Sequence, residues 1–131
     1  MRNRKYILEM VNFKGWKYVS EFEELTEEFI EEFQDKVWWD AISCQQKLSE
    51  DFMIKFQDKI NWRWISSFQK LSEDFIRKYI DRLDMPHVSW CQELSESFII
   101  EFIDKLHWRG IVECQEVSKD FIYNMKQKIE G

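Results

Sequence analysis

Few side chains of this sequence have the types and spacing that catalysis or metal binding requires. Its only histidines are His87 and His107, and it contains no glycine-rich phosphate loop, no HExxH motif and no cluster of metal-ligating residues. Acid pairs such as Glu73 and Asp74 could act in proton transfer, but similar pairs recur along the chain, whereas an active site occurs once. We therefore expect a protein that is not an enzyme and that has no cofactor or metal.

Acidic residues near the N-terminus form a second group with functional potential. Residues 16–38 contain eight acids and two lysines, in a chain with a net charge of −6. Most such runs are solvated faces that keep a protein soluble. Alternatively, the acids attract a basic surface of another protein over a long range. The candidate partner-binding acids are Glu23, Glu24, Glu27, Glu28, Glu31 and Glu32.

A 23-residue repeat is the frame that positions these residues. The stretch from Trp62 to Asp84 recurs four more times, beginning at residues 16, 39, 85 and 108, so that five units fill residues 16–130. A fixed period of about 20 to 50 residues is typical of stacked repeat proteins. With 44% hydrophobic residues the chain can also build a core. The predicted organisation is a cap helix in residues 1–15 followed by a five-repeat solenoid in residues 16–131.

Each repeat is expected to form a pair of helices. In the third repeat Phe75, Ile76, Tyr79 and Leu83, at repeat positions 14, 15, 18 and 22, lie on one helical face. Ser72 is the predicted N-cap of this second helix, which should extend to a basic residue near position 21. A shorter first helix, partly 3₁₀ in one interpretation, should precede it over positions 1 to about 8.

Residues 1–15 match the second helix alone. Asn3 falls at its cap position and Tyr6 at the position of the recurring phenylalanine, so this segment is predicted to be an N-terminal half-repeat. The predicted fold is therefore all-α: an α-solenoid of five 23-residue helix-pair repeats with an N-terminal half-repeat cap.

The repeat resembles short helical tandem-repeat proteins found in phage, large DNA virus and bacterial genomes. Their units are close to I-S-x-x-Q-x-L-S-E-x-F-I-x-x-F-x-D-K, and the residues that carry the resemblance in the third repeat are Ile65, Ser66, Gln69, Leu71, Ser72, Glu73, Phe75, Ile76 and Asp81. The resemblance covers essentially the whole chain. It implies the fold and a viral or mobile-element origin, and it transfers no functional residue because most such proteins have no assigned activity.

Polar residues that recur at the same repeat position are interpreted as scaffold. Serine occupies position 5 of four repeats and glutamine position 8 of four, as Ser66 and Gln69 do in the third. We expect hydrogen-bonded ladders between neighbouring repeats that satisfy the tight turns. The alternative is a row that contacts a repeating nucleic acid, and the net negative charge argues against it. The recurring Trp16, Trp39, Trp62 and Trp108 are expected in the core.

Recognition should instead involve the residues that vary between repeats. Trp64 and Trp90 are not required by the repeat, and large aromatic residues outside the core pattern are common anchors of protein interfaces. The other interpretation is that they fill local gaps in the packing. Candidate partner-binding residues of this kind are Trp64, Trp90, Tyr18, His87 and Trp38.

The sequence thus predicts a non-enzymatic module that binds another protein through variable aromatic and acidic residues. One alternative is a phage or mobile-element inhibitor, of the anti-CRISPR or anti-defence type, that blocks the nucleic-acid groove of a host nuclease with its acidic face. Self-association is a third possibility. Direct binding of nucleic acid or of a membrane is not expected.

The expected location is the cytoplasm. The N-terminal sequence has no apolar stretch long enough for a signal peptide or a membrane span. Cys44, Cys91 and Cys114 form no CxxC pair, and an odd number of cysteines argues against a disulfide framework. These features favour a reducing compartment.

Overall fold

Repeated helix pairs make up the computed structural model, which describes residues 2–130 and the side chains up to residue 128. Within these residues the chain forms eleven α-helices and no β-strand, which confirms the predicted all-α solenoid. The helices are Arg4–Lys14 (α1), Trp16–Phe22 (α2), Glu27–Glu32 (α3), Trp39–Gln45 (α4), Glu50–Lys55 (α5), Trp62–Phe68 (α6), Glu73–Lys78 (α7), Met85–Cys91 (α8), Glu96–Glu101 (α9), Trp108–Cys114 (α10) and Lys119–Glu130 (α11).

Side-chain caps define the beginnings of these helices, as the sequence predicts. The hydroxyl groups of Thr26, Ser49, Ser72 and Ser95 each accept a hydrogen bond from the backbone N–H three residues later, as does the side chain of Asn3 at the start of α1. Asn61 and Asp84 cap α6 and α8 in the same way. Each cap satisfies backbone donors that the first turn of a helix leaves unpaired.

The second helices of the first four repeats have six residues and are shorter than the sequence indicates, whereas α11 of the fifth repeat extends to Glu130. The first helices are regular α-helices of seven residues. In the first repeat α3 ends at Glu32, and the chain then tightens into a turn in which the N–H of Lys36 donates to the carbonyl of Phe33 at 2.8 Å. Two side chains stabilise this early end: Gln34 Nε2 donates to the carbonyl of Glu31 and Trp39 Nε1 to that of Gln34. Gln57 and Trp62 do the same in the second repeat.

Aliphatic and phenylalanine side chains fill the space between the helices. The residue at repeat position 4, in each first helix, is fully buried, and the phenylalanine at repeat position 14, in each second helix, is nearly so. The recurring tryptophans are half-buried, and Trp16 and Trp39 lie against Phe29 and Phe52, each with 6.2 Å between ring centroids. The core therefore depends on the recurring aliphatic and phenylalanine residues, whereas the recurring tryptophans, which were expected in the core, are only partly buried.

The chain divides into two compact units, one ending at Gln69 and the other beginning at Lys70. In the first unit α1, α2, α4 and α6 follow one another as neighbours, and in the second unit α8 contacts α10. No helix in the part of the chain that the structure describes is both long and apolar enough to cross a membrane.

Candidate functional site

The recurring glutamines are internal connectors between first helices. Gln46 on repeat position 8 accepts a hydrogen bond from the N–H of Leu25 at 3.0 Å, and its Nε2 donates to the carbonyls of Ser20 and Glu23 at 2.9 and 2.7 Å. Gln69 and Gln115 bind the preceding repeat through the same three contacts. Each amide thus satisfies three backbone groups of its neighbour, and the predicted ladder is confirmed.

The recurring serines complete this arrangement. Ser43 is fully buried, and its hydroxyl donates to the carbonyl of Trp39 at 2.7 Å and accepts from the N–H of Asn61 at 2.9 Å. Ser20 and Ser89 accept the equivalent N–H groups of Trp38 and His107. We call the serines of position 5 and the glutamines of position 8 the polar ladder. Because their polar atoms are already bonded within the protein, they are not a ligand-binding row.

A second ladder, which the sequence analysis missed, involves acids at repeat position 12. Glu27 accepts hydrogen bonds from both the N–H and the hydroxyl of Ser49 in the next repeat, at 2.6 and 2.9 Å. Glu73 binds Ser95 in the same manner. In the sequence analysis Glu27 is a candidate partner-binding acid and Glu73 belongs to a recurring acid pair, and neither is predicted to bond a capping serine. The signal in the sequence was the constant spacing between an acid and the next capping serine, 22 residues later.

Three of the six candidate acids of the first repeat are bonded to other residues of the fold. Besides Glu27, Glu31 pairs with Lys55, and Glu32 accepts from Arg4 in a two-pronged contact whose shortest distance is 2.7 Å. Hydrogen bonds from the Arg4 guanidinium lower the pKa of the Glu32 carboxyl, and both groups are exposed to solvent.

Glu23, Glu24 and Glu28 are the acids that remain. Glu24 and Glu28 are exposed, Glu23 is half-buried, and none of these carboxylates has a bonding partner within residues 2–130. The acidic surface available to another molecule is therefore smaller than the sequence indicates.

Aromatic side chains on the outside of the first helices are arranged in pairs. Tyr18 contacts Phe22 with 5.0 Å between ring centroids, and Trp64 contacts Phe68 with 5.7 Å. Tyr18 and Trp64 are half-buried, whereas Phe22 and Phe68 keep 65% and 57% of their surface exposed. Both phenylalanines occupy variable position 7 but were not among the predicted anchors. The signal in the sequence was the glutamine that the second repeat has at this position, Gln45, which indicates an exposed site.

The remaining predicted residues lie at separate places. Trp38 is 51% exposed, with Lys17 Nζ 5.5 Å from its ring centroid, in the first compact unit. In the second unit Trp90 is 38% exposed, and its ring lies 6.1 Å from that of His107. His87 is half-buried, with Nδ1 at 2.8 Å from the cap residue Asp84. Besides Phe13 on α1 and Tyr123 on α11, the exposed aromatic residues among those that the structure describes are thus Phe22, Trp38, Phe68 and Trp90.

A groove opens beside Trp90 between α8 and α10. It has a volume of about 470 Å³ and is lined by Trp90, Cys91, Gln92, Glu93, Leu94, Ser95, Cys114, Gln115 and Glu116. Both of its cysteines are exposed free thiols. A smaller groove of about 310 Å³ lies beside Phe22, between α2 and α4.

Neither a metal site nor a known relative provides a further indication of function. Within the described residues no group of three or more histidine, cysteine or acidic side chains could hold a metal ion. No protein-family model matches the chain, and the comparisons with curated proteins and with solved structures give no match.

Proposed function

We propose that this protein is a non-enzymatic binding module that presents variable aromatic and acidic residues to a partner protein. The observation that carries this proposal is the exposure of Phe22, Trp38, Phe68 and Trp90 on a scaffold whose recurring polar side chains bond internally. Large aromatic side chains contribute more binding free energy than other residues when a partner buries them. Repeat proteins commonly recognise partners through residues that vary on a constant frame.

The alternative of a nuclease inhibitor with an acidic face has less support. It relies on six acids of the first repeat, and Glu27, Glu31 and Glu32 form bonds within the fold. In the proposed mechanism the exposed aromatic residues are therefore the main contacts that the partner buries. Glu23, Glu24 and Glu28 have an accessory role in attracting a basic partner.

Affinity capture with repeat-derived variants tests the proposal. Each substitution introduces the residue that another repeat has at the same position. Ala41 provides the model for Trp64→Ala, Ser67 for Trp90→Ser, and Gln45 for Phe22→Gln and Phe68→Gln. Such substitutions preserve the scaffold, which circular dichroism would verify. Gln45→Ala, at an exposed position of α4, is the matched control.

A bacterial lysate is a suitable source of partners, and chemical crosslinking retains weak ones. We expect a protein that is captured by the wild type and by Gln45→Ala but lost in the combined aromatic variant. A partner that is captured equally by the folded aromatic variant would contradict the proposal. Light scattering over a range of concentrations separates this result from self-association, in which the mass rises without any other protein.

A further inference from the structure

The groove between α8 and α10, which we call the α8–α10 groove, has a defined structural origin. The C-terminal end of α10 is fixed against α8, because Gln115 Nε2 donates to the carbonyls of Ser89 and Gln92 at 2.9 and 2.6 Å. Near the start of α10, Gly110 approaches the backbone of Ser89 so closely that a Cβ atom would lie 3.1 Å from it. The helices are therefore tightly packed at Gly110, and the groove lies towards their C-terminal ends.

An aromatic ring and two carboxylates lie together in this groove. Trp90 is partly exposed, and Glu93 and Glu116, both at repeat position 9, are exposed on the loops that follow α8 and α10. Neither carboxylate has a bonding partner among residues 2–130. The lining contains no lysine or arginine. Since both helices also end at the groove, their negative dipole ends add to the charge of the carboxylates.

This combination matches the chemistry of an arginine side chain. A guanidinium group stacks on the face of an indole and bonds carboxylates at its edges, and both contacts can be made by one arginine. A phosphate backbone would be repelled by the same charges. An apolar side chain would use the indole but would leave the two carboxylates desolvated without a partner.

We propose that the α8–α10 groove binds an arginine of a basic segment of the partner protein, with the guanidinium on Trp90 and between Glu93 and Glu116. This assignment rests on the proposed function, and it adds the chemistry of the partner. It places the binding of the basic partner in the last two repeats, whereas the sequence alone placed it in the acidic first repeat.

The two free thiols of the groove provide a direct measurement. Methanethiosulfonate reagents exist in cationic and anionic forms of similar size, and mass spectrometry follows their reaction with Cys91 and Cys114. We expect the cationic reagent to react with these thiols about tenfold faster than the anionic one, relative to a small-molecule thiol, because the local potential concentrates cations. Tetra-arginine should slow the reaction, whereas tetra-citrulline, which has the same shape without the charge, should not.

Variants taken from other repeats make the measurement specific. Glu93→Lys and Glu116→Lys introduce the residue found at the same repeat position as Lys47 and Lys70. Both should abolish the preference for the cationic reagent and the protection by tetra-arginine, and Trp90→Ser should abolish the protection. Glu24→Lys, at position 9 of the first repeat, changes the net charge by the same amount. It should change neither the preference for the cationic reagent nor the protection by tetra-arginine.

Several results would overturn the assignment. These are equal protection by tetra-arginine and tetra-citrulline, absence of protection, or a loss of preference in Glu24→Lys as large as in Glu93→Lys. None of them bears on whether a partner is captured through the exposed aromatic residues. A captured protein that binds Glu93→Lys and Glu116→Lys as well as wild type, but not the aromatic variant, would overturn the arginine site and leave the proposed function intact.

Discussion

The polar ladder consists of residues that recur along the chain, whereas the outer surface of the same first helices consists of residues that vary. At the C-cap of α4, Gln46 is buried and bonds three backbone groups of the preceding repeat, whereas Gln45, the last residue of the helix, is exposed. The position of Gln46 holds glutamine in four repeats, but that of Gln45 holds phenylalanine or cysteine elsewhere. At these two polar positions recurrence therefore marks internal hydrogen bonding, and the position that varies is on the exposed surface.

The two neighbouring glutamines give the sharpest test of this difference. Gln46→Leu leaves the N–H of Leu25 and two carbonyls without their side-chain partner, and we expect a loss of about 3 kcal/mol in the free energy of unfolding. Gln45→Leu should change it by no more than about 0.5 kcal/mol. Urea denaturation of both variants measures the contrast. Similar values for the two would show that the ladder does not stabilise the fold.

A pair of serines tests the same comparison with smaller changes. Ser43→Ala removes the acceptor for the N–H of Asn61, which should cost about 1 to 2 kcal/mol of stability. Ser67 lies at a variable position, and its buried hydroxyl has no hydrogen-bond partner within the described residues. Ser67→Ala should therefore be neutral or slightly stabilising. If thermal unfolding showed that Ser67→Ala is the more damaging of the two, the assignment of roles would be wrong.

The acids of the first repeat allow a third comparison. Glu27→Ala removes two hydrogen bonds to Ser49 and should lower the stability by about 0.5 to 1 kcal/mol, since the contact is partly exposed. The exposed neighbour Glu28 serves as the control, and Glu28→Ala should be silent within about 0.5 kcal/mol. The amide exchange rate at Ser49, measured by NMR, should rise only in Glu27→Ala.

The smallest expected effect concerns the contact between α1 and the first repeat. Because Arg4 lowers the pKa of Glu32 in the folded protein, this contact adds stability above the ordinary carboxyl range, and the stability is lost as the pH falls through the lowered pKa. Wild type should consequently lose slightly more stability than Arg4→Gln between about pH 6 and pH 3. Parallel curves for the two proteins in urea titrations would refute the contribution of the pair.

Most of the fold could be predicted from the sequence because each repeat carries its own local signals. Helices begin at the predicted cap residues, such as Ser49 and Asn61, since a cap acts within three residues of itself. The first helices begin at the five predicted repeat starts. The ends of the second helices could not be predicted in this way. In the first two repeats the indoles of Trp39 and Trp62 bond a carbonyl just beyond the helix end, a contact that the apolar pattern does not reveal. α7 ends at the same repeat position with Ile80 and Met85 in place of the glutamine and the tryptophan, so these side chains are not the general cause.

The candidate site could be predicted only in part. Trp90 and Trp38 are exposed, but Trp64 is half-buried against Phe68. Half of the predicted acids of the first repeat are engaged in bonds within the fold. The type of an aromatic residue does not reveal whether it is exposed or buried, and the type of an acid does not reveal whether its carboxylate is bonded.

The sequence by itself thus determined the period, the helix starts and the internal role of the recurring serines and glutamines, because these follow from local caps and from repetition. Only the tertiary structure decided which variable residues are free. It brought Trp90, Glu93 and Glu116 to one groove, although the last of these lies in a different repeat from the first two. Contacts across repeats depend on how closely neighbouring helices approach, as at Gly110 and Ser89, and that distance is a property of packing.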